Sequence, residues 1–335
     1  MIRSLVKWPG GKGRVIPDLL QHLPKADCLI EPFVGGASVF LNTEYRRYVL
    51  GDINPDLINL YRQITHWPDE VIDYARYLFK AYGDKDGYKW VRDDFNDRAR
   101  DCMAPHNMFE NGPDVGKVVR AAQFLYLNRH GYNGVVRYNR QGGYNVPFGK
   151  HKSPPYFPEE QIRLFSEKAN DTKAIFLCCP FQNTIKVMTG SDSVIYCDPP
   201  YLPESETANF TQYHSTPFGK KEHRQLVAAL LAANRETGAS VVISNSDTPE
   251  TREIYQPFNL HEISVQRSVS TDKDNRQKAK EVIGVLPVCD CCGRHGGGYC
   301  PDCGPCAGYS ARFGDESDSD VLPGYWESEE NPIPL

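Results

Sequence analysis

The 335-residue sequence has no run of about 18 apolar residues, so no membrane-spanning helix is expected. Its start, Met1-Ile-Arg-Ser-Leu-Val-Lys7, lacks the apolar core of a secretory signal, which points to a cytoplasmic protein. No internal repeat is visible, which sets aside solenoid and propeller architectures. The strict G-x-G-x-x-G pattern is missing, which weakens a dinucleotide site. A Walker A loop fails as well: Gly11-Lys12 is followed by Gly13 rather than Ser or Thr, and Val6 stands where the first glycine belongs. Finally, residues 115–158 contain no Asp or Glu, although the chain carries 43 of them.

That last absence changes the meaning of the net charge of -5. Residues 286–335 hold nine acidic residues and two arginines, so the rest of the chain is slightly basic. The acid-free segment carries Lys117, Arg120, Arg129, Arg137, Arg140, Lys150 and Lys152, with eight Tyr or Phe among them. Such a mixture describes either a surface that neutralises phosphates and stacks on bases or an ordinary solvated face.

Cysteine is equally uneven. Six of the 11 fall within 289–306, and without a secretion signal they do not read as a disulfide framework. Cys289, Cys292, Cys300 and Cys303 form two C-x-x-C-G knuckles, the spacing of a structural zinc site. The other reading is a Cys-rich tail without metal. Residues 307–335 are acidic, low in complexity and expected to be disordered.

With 40% hydrophobic residues the chain can bury a core. Apolar runs at 28–30, 48–50 and 194–197 read as buried strands, and further strands are expected at 174–179, 240–244 and 281–286. Helices are expected at 36–42, 57–64, 71–81 and 226–234. Alternating strands and helices predict an α/β fold with a parallel, Rossmann-like sheet. The stretch from 61 to 169 lacks strand signals and is too long for a crossover loop, so it reads as an inserted, mostly helical subdomain. The flanking segments 1–60 and 170–288 then form the sheet domain.

Three carboxylates, Glu31, Asp52 and Asp198, close three of the predicted strands, where ligands of parallel sheets bind. After Glu31, the turn Pro-Phe-Val-Gly35-Gly36 opens a helix and lets a ligand approach the backbone. Asp52 lies 21 residues beyond Glu31, a spacing suited to ribose hydroxyls. With no phosphate-binding loop, the segment reads either as a site for a nucleoside without phosphates or as a plain strand-turn-helix. S-adenosylmethionine fits, its sulfonium favouring acidic and aromatic surroundings and its carboxylate needing a donor such as Lys12. At Asp198-Pro199-Pro200-Tyr201, two prolines remove two amide donors and leave an edge of acceptors. Such an edge suits an exocyclic amino group, and Tyr201 can stack on a base that has left its helix. The plainer reading is a Pro-Pro turn with a capping Asp.

Together these motifs resemble the Dam-type (D12 class) DNA adenine-N6 methyltransferases, which methylate adenine within GATC. The resemblance covers about residues 3–288. It rests on Lys7-Trp-Pro-Gly-Gly-Lys12, the segments starting at Glu31 and Asp52, Phe124-Leu-Tyr-Leu-Asn-Arg129, Gly131-Tyr-Asn-Gly134, Arg137-Tyr-Asn139, Asn145-Val-Pro-Phe-Gly149, Asp198-Pro-Pro-Tyr201 and Ala208-Asn-Phe-Thr-x-Tyr-His214. The resemblance implies that Trp8, Lys12, Asp52 and Asp198 contact the methyl donor, with Phe33 and Ile53 flanking its adenine. Lys7 would read a guanine, while Tyr132 and Asn133 would support the gap left by a flipped adenine. Val135 and Pro147 would touch a thymine methyl, and Arg137 would contact a guanine bidentately. Arg129 and Asn139 lie in the same DNA-contacting motifs. Ala37 stands where many relatives have Gly, Val135 where close ones have Leu, and the Cys-rich extension has no counterpart in the minimal enzyme. The expectation is a monomeric, S-adenosylmethionine-dependent methyltransferase acting on double-stranded DNA in a bacterial or phage-infected cell. Cytosine-N4 methylation and a catalytically silent DNA-binding regulator are the rival readings.

Overall fold

The computed structural model describes residues 1–98, 113–187, 190, 192–202, 218–266, 278–287, 299–300 and 304–305. In chain order the helices are α1 (Ile16–Leu20), α2 (Ser38–Leu41), α3 (Pro55–His66), α4 (Pro68–Ala81), α5 (Lys85–Arg98), α6 (Val115–His130), α7 (Glu159–Asp171), α8 (Phe181–Lys186), α9 (Lys220–Thr237) and α10 (Pro249–Ile254). The main sheet comprises β1 (Cys28–Glu31), β2 (Arg47–Asp52), β3 (Ile175–Cys178), β4 (Ser193–Cys197), β5 (Ser240–Ser246), β6 (Asn259–Gln266) and β7 (Lys278–Val285). Their spatial order is β3-β2-β1-β4-β5-β7-β6. The first five run parallel, and β7 lies antiparallel between β5 and β6.

β1, β4 and β5 are buried along their whole length, as strands covered on both faces must be. From β1 the chain winds outward through β2 and β3, and from β4 it winds the other way. The crevice beyond the carboxyl ends of β1 and β4 is therefore the topological switch point, where such sheets bind ligands. All of the expected strands and helices are present, with shifted ends. Strand β6 was not expected: its His261, Glu262 and Ser264 break the apolar run at an edge position.

Between β2 and β3, α3 starts sharply because the Asn54 side chain accepts the amides of Asp56 (3.0 Å) and Leu57 (3.1 Å), with Pro55 at its first position. Helix α6 is buried almost all round because α3, α4 and α5 pack against it. It leads into a loop closed by two antiparallel bridges, Gly131 to Phe148 and Tyr138 to Tyr144. Helix α7 returns to the sheet layer, where Phe165 meets the rings of Phe40, Tyr61 and Phe176. No helix among the described residues is long and apolar enough to cross a membrane.

Candidate active site

Glu31 ends β1, Asp52 ends β2 and Asp198 directly follows β4, so the three carboxylates converge on the switch-point crevice. Asp52 accepts the amides of Gly35 (3.2 Å) and Asn54 (2.9 Å). Burial nevertheless pushes its pKa up to about 6, because those two amides offset the lost hydration only in part. Glu31 is pushed further, to about 8, by burial and then by the nearby Asp198 charge. Its Oε1 is buried without a hydrogen-bond partner among the described residues.

Lys12, 4% exposed, places its ammonium 2.7 Å from Asp198 Oδ1 and 3.7 Å from Glu281 Oε2, and donates to the Tyr201 hydroxyl. Ser244 donates to the same Asp198 oxygen at 3.1 Å. Burial raises the Asp198 pKa while Lys12 opposes the rise. The tetrapeptide is also braced from behind. His223, fully buried, lies 3.0 Å from the Pro200 carbonyl through Nε2 and 3.0 Å from the Tyr255 hydroxyl through Nδ1. A carbonyl only accepts, so Nε2 carries the proton and Nδ1 accepts from Tyr255. Burial lowers the His223 pKa to about 4, which keeps the ring neutral.

A second group of residues lies on the loop after α6. Tyr132, Asn133, Arg137, Asn139 and Pro147 are exposed there, and Val135 is half-buried. Asn133 adopts a left-handed conformation (φ 53°) in the short turn Tyr132–Gly134. Arg137 is held by Asn145, which accepts from Nε at 2.8 Å and from Nη2 at 3.2 Å. Lys7 joins this group from the N-terminal segment. Buried Asn128 accepts the Lys7 amide (2.7 Å) and donates to the carbonyls of Lys7 (2.8 Å) and Gly134 (3.1 Å). The Lys7 ammonium donates to the Arg129 carbonyl at 3.1 Å.

Residues 8–269 match the model of the D12 class N6 adenine-specific DNA methyltransferases. A DNA adenine methylase of Salmonella typhi is 43% identical over 286 residues, covering 84% of this chain and 95% of the relative. Those of Vibrio cholerae (42% over 285 residues, 85% and 96%) and Escherichia coli K12 (43% over 284 residues, 84% and 95%) are similarly close. The chain belongs to the D12 class. It is an adenine-specific DNA methyltransferase, and membership implies S-adenosylmethionine as methyl donor.

The D12 cleft fits that donor. An unmet buried acceptor on Glu31 and the acidic pair Asp198 and Glu281 around one lysine leave the crevice short of positive charge, and the donor is cationic. Phe33, at the mouth, stacks on Phe181 (centroids 5.5 Å apart) and meets Phe218 edge-on (5.6 Å). Ile53, which follows β2, is exposed.

Several sequence expectations change in detail. Gly35 and Gly36 also lie close against Trp8. A Cβ on Gly35 would stand 2.8 Å from Trp8 Nε1, and one on Gly36 3.1 Å from Trp8 Cβ. Ala37 has φ 56°, a conformation that costs an L-residue roughly 1–2 kcal/mol. Arg120 does not face solvent; it pairs with buried Asp56 at 2.6 Å and stacks on Phe95. Phe124, Tyr126 and Tyr144 are core residues, and Tyr138, Phe148 and Phe157 pack against that core. This leaves Tyr132 and Tyr156 exposed. Asn139 Oδ1 caps its own turn, accepting the amides of Gln141 and Gly143 at 2.9 Å each. Arg129 donates to the Tyr156 carbonyl at 3.2 Å.

Glu281, His223 and Phe181 were not picked out from the sequence. Each depends on a partner far along the chain, and no local pattern marks it. Cys289, Cys292 and Cys303 lie outside the described residues, as does 208–214. Around the second knuckle, Tyr299–Cys300 pairs antiparallel with Gly304–Pro305. Among the described residues no group of His, Cys, Asp or Glu forms a metal site.

Proposed function

We propose that this D12 enzyme methylates N6 of adenine within GATC in double-stranded DNA, acting on a flipped base by direct in-line transfer. The observation that carries this reading is Asp198 at the switch point, held by Lys12 and Ser244, with Tyr201 anchored beside it. An adenine amino group offers two protons. Accepting both at the Asp198 carboxylate and the Pro199 carbonyl draws the nitrogen lone pair out of conjugation and aims it. The bound donor supplies an electrophilic methyl on a sulfonium. As the nitrogen–carbon bond forms and the sulfur–carbon bond breaks, one amino proton becomes acidic. Asp198, its basicity raised by burial, stands ready to receive it. Pro200 is held by His223, and the Tyr201 ring stacks on the base.

On this reading Trp8, Lys12, Glu31, Asp52 and Asp198 hold the donor, with Phe33 and Ile53 enclosing its adenine between Gly35-Gly36 and the end of β2. Lys7 and Arg137 read guanines, while Val135 and Pro147 read thymine methyls. Tyr132 and Asn133 fill the vacated stack, and Arg129 and Asn139 contact the DNA beside them. Residues 61–169 form the target-recognition unit, and 1–60 with 170–288 the catalytic domain, working as a monomer. The deciding experiment incubates the full chain with donor and a GATC duplex, followed by methylation-sensitive cleavage. Protection of GATC and release of N6-methyladenine are expected. Full cleavage, or N4-methylcytosine instead, refutes the assignment.

For the extension we propose a zinc knuckle on Cys289, Cys292, Cys300 and Cys303, supported by the strand pairing that folds back around Cys300 and Gly304. One zinc per chain in metal analysis of the purified protein is expected, falling below half after Cys300→Ser and Cys303→Ser. Metal-free protein refutes it.

A further inference from the structure

Glu281 sits on antiparallel β7, opposite Ser246 of β5, and it reaches the cleft only because β7 inserts beside β5. Its Oε2 accepts the Tyr201 hydroxyl at 2.7 Å. Lys12 donates to that same hydroxyl. The phenol is held far above its ordinary pKa by burial and by the Asp198 and Glu281 charges, so it stays protonated. It is therefore the donor to Glu281 and the acceptor from Lys12. Both hydrogen-bonding capacities engaged here lie at the far end of the ring. A tyrosine ring turns about an axis that passes through its own oxygen, but conjugation keeps the phenol O–H and the acceptor lone pair in the ring plane, so setting the directions of both hydrogen bonds sets that plane. Glu281 is not needed merely to neutralise Lys12, because Asp198 already stands 2.7 Å from that ammonium.

We propose that Glu281 is a positioning residue for methyl transfer: through the Tyr201 hydroxyl it fixes the ring in the plane that stacks on the target base. This rests on residues 198–201 forming the catalytic edge. The test is single-turnover methylation of a GATC duplex by the full chain, with donor and enzyme in excess. Three variants are compared with the parent: Glu281→Gln, Tyr201→Phe, and the two combined. Tyr201→Phe keeps a ring able to stack and loses only the anchor. Each single change should slow transfer by roughly tenfold, as misplacement of a reacting group does, and the double variant should be no slower than the slower single. A general loss of structure would not produce that equality. A single variant within about twofold of the parent, or a double variant slowed by the product of the two effects, overturns the proposal. Should Glu281→Gln fail to fold, Tyr201→Phe alone decides, and an unslowed rate overturns it. A parent enzyme that methylates no adenine in the duplex would instead remove the catalytic assignment beneath it.

Discussion

The cleft and the loop after α6 hold the same residue types in opposite surroundings. In the cleft the working side chains are withdrawn from water: Lys12, Glu31 and Pro199 are buried, and Asp198 and Tyr201 partly so. Burial there sets protonation, keeping Glu31 and Asp52 poised near neutrality and His223 uncharged. On the loop Tyr132, Asn133, Arg137 and Pro147 project into solvent, as groups that read base edges must. Their precision comes from buried residues behind them. Asn128 ties Lys7 to the turn at Gly134, and Asp56 accepts Arg120 from α6 and the Tyr138 hydroxyl (2.6 Å) from the loop. On the proposed reading, chemistry is thus placed inside the sheet domain, and readout outside it on a loop tied to buried residues.

Changes in the cleft should break chemistry and spare DNA binding, and the largest effect belongs to Asp198. Asp198→Ala should lower methyl transfer at least about 10³-fold, because it removes both the acceptor and the charge at the reacting atom. Binding to duplex DNA, read by gel shift, should stay within a few-fold of the parent. A loss of binding equal to the loss of rate would merge the two regions into one.

Glu31→Gln comes next, and it tests what burial does. A carboxyl whose pKa rises on folding binds a proton more tightly in the folded state. It therefore costs stability as the pH climbs from its ordinary 4.5 toward about 8. Below pH 4.5 the variant and the parent should be similar. By pH 8 the donor-free variant should be the more stable by about 2–4 kcal/mol in urea unfolding, while binding donor more weakly. A difference that does not change with pH would mean that Glu31 is hydrated in the empty cleft.

From the loop, Arg137→Ala should cost roughly 1–3 kcal/mol of discrimination at one guanine, with transfer on the best site less affected. Unchanged preference in competition between GATC and single-substituted duplexes would reassign Arg137. Asn145→Ala should give a smaller loss of the same kind, since it orients the guanidinium and touches no base.

The sheet was largely legible because strands buried on both faces announce themselves as apolar runs, and the carboxylates ending β1, β2 and β4 had to meet at the switch point. The supports were not. Arg120 looked like a phosphate contact because its partner Asp56 lies 64 residues earlier. The aromatics of 115–158 looked like a stacking surface, yet most of them fill the space between α4, α5 and α6. Glu281 and His223 were invisible for the same reason: their meaning lies in the insertion of β7 beside β5 and in the packing of α9 under the tetrapeptide.

The smallest expected effect tests the loop against the rest of the chain. Residues 307–335 carry seven acidic residues and one arginine, while Arg137, Arg140, Lys150 and Lys152 are exposed within the acid-free segment. Opposite charges on one chain compete with phosphate for the same cations, and salt screens that competition within about 10 Å at 0.1 M. Removing 307–335 should therefore tighten binding to random-sequence DNA at low salt, by less than about tenfold, and leave it unchanged at high salt. Methyl transfer in a single turnover should not move, because the cleft draws its charge from Lys12, Asp198 and Glu281. Equal affinity of the truncated and full chains at low salt would show that the loop meets DNA unopposed, and that the acidic segment serves something other than the enzyme's grip.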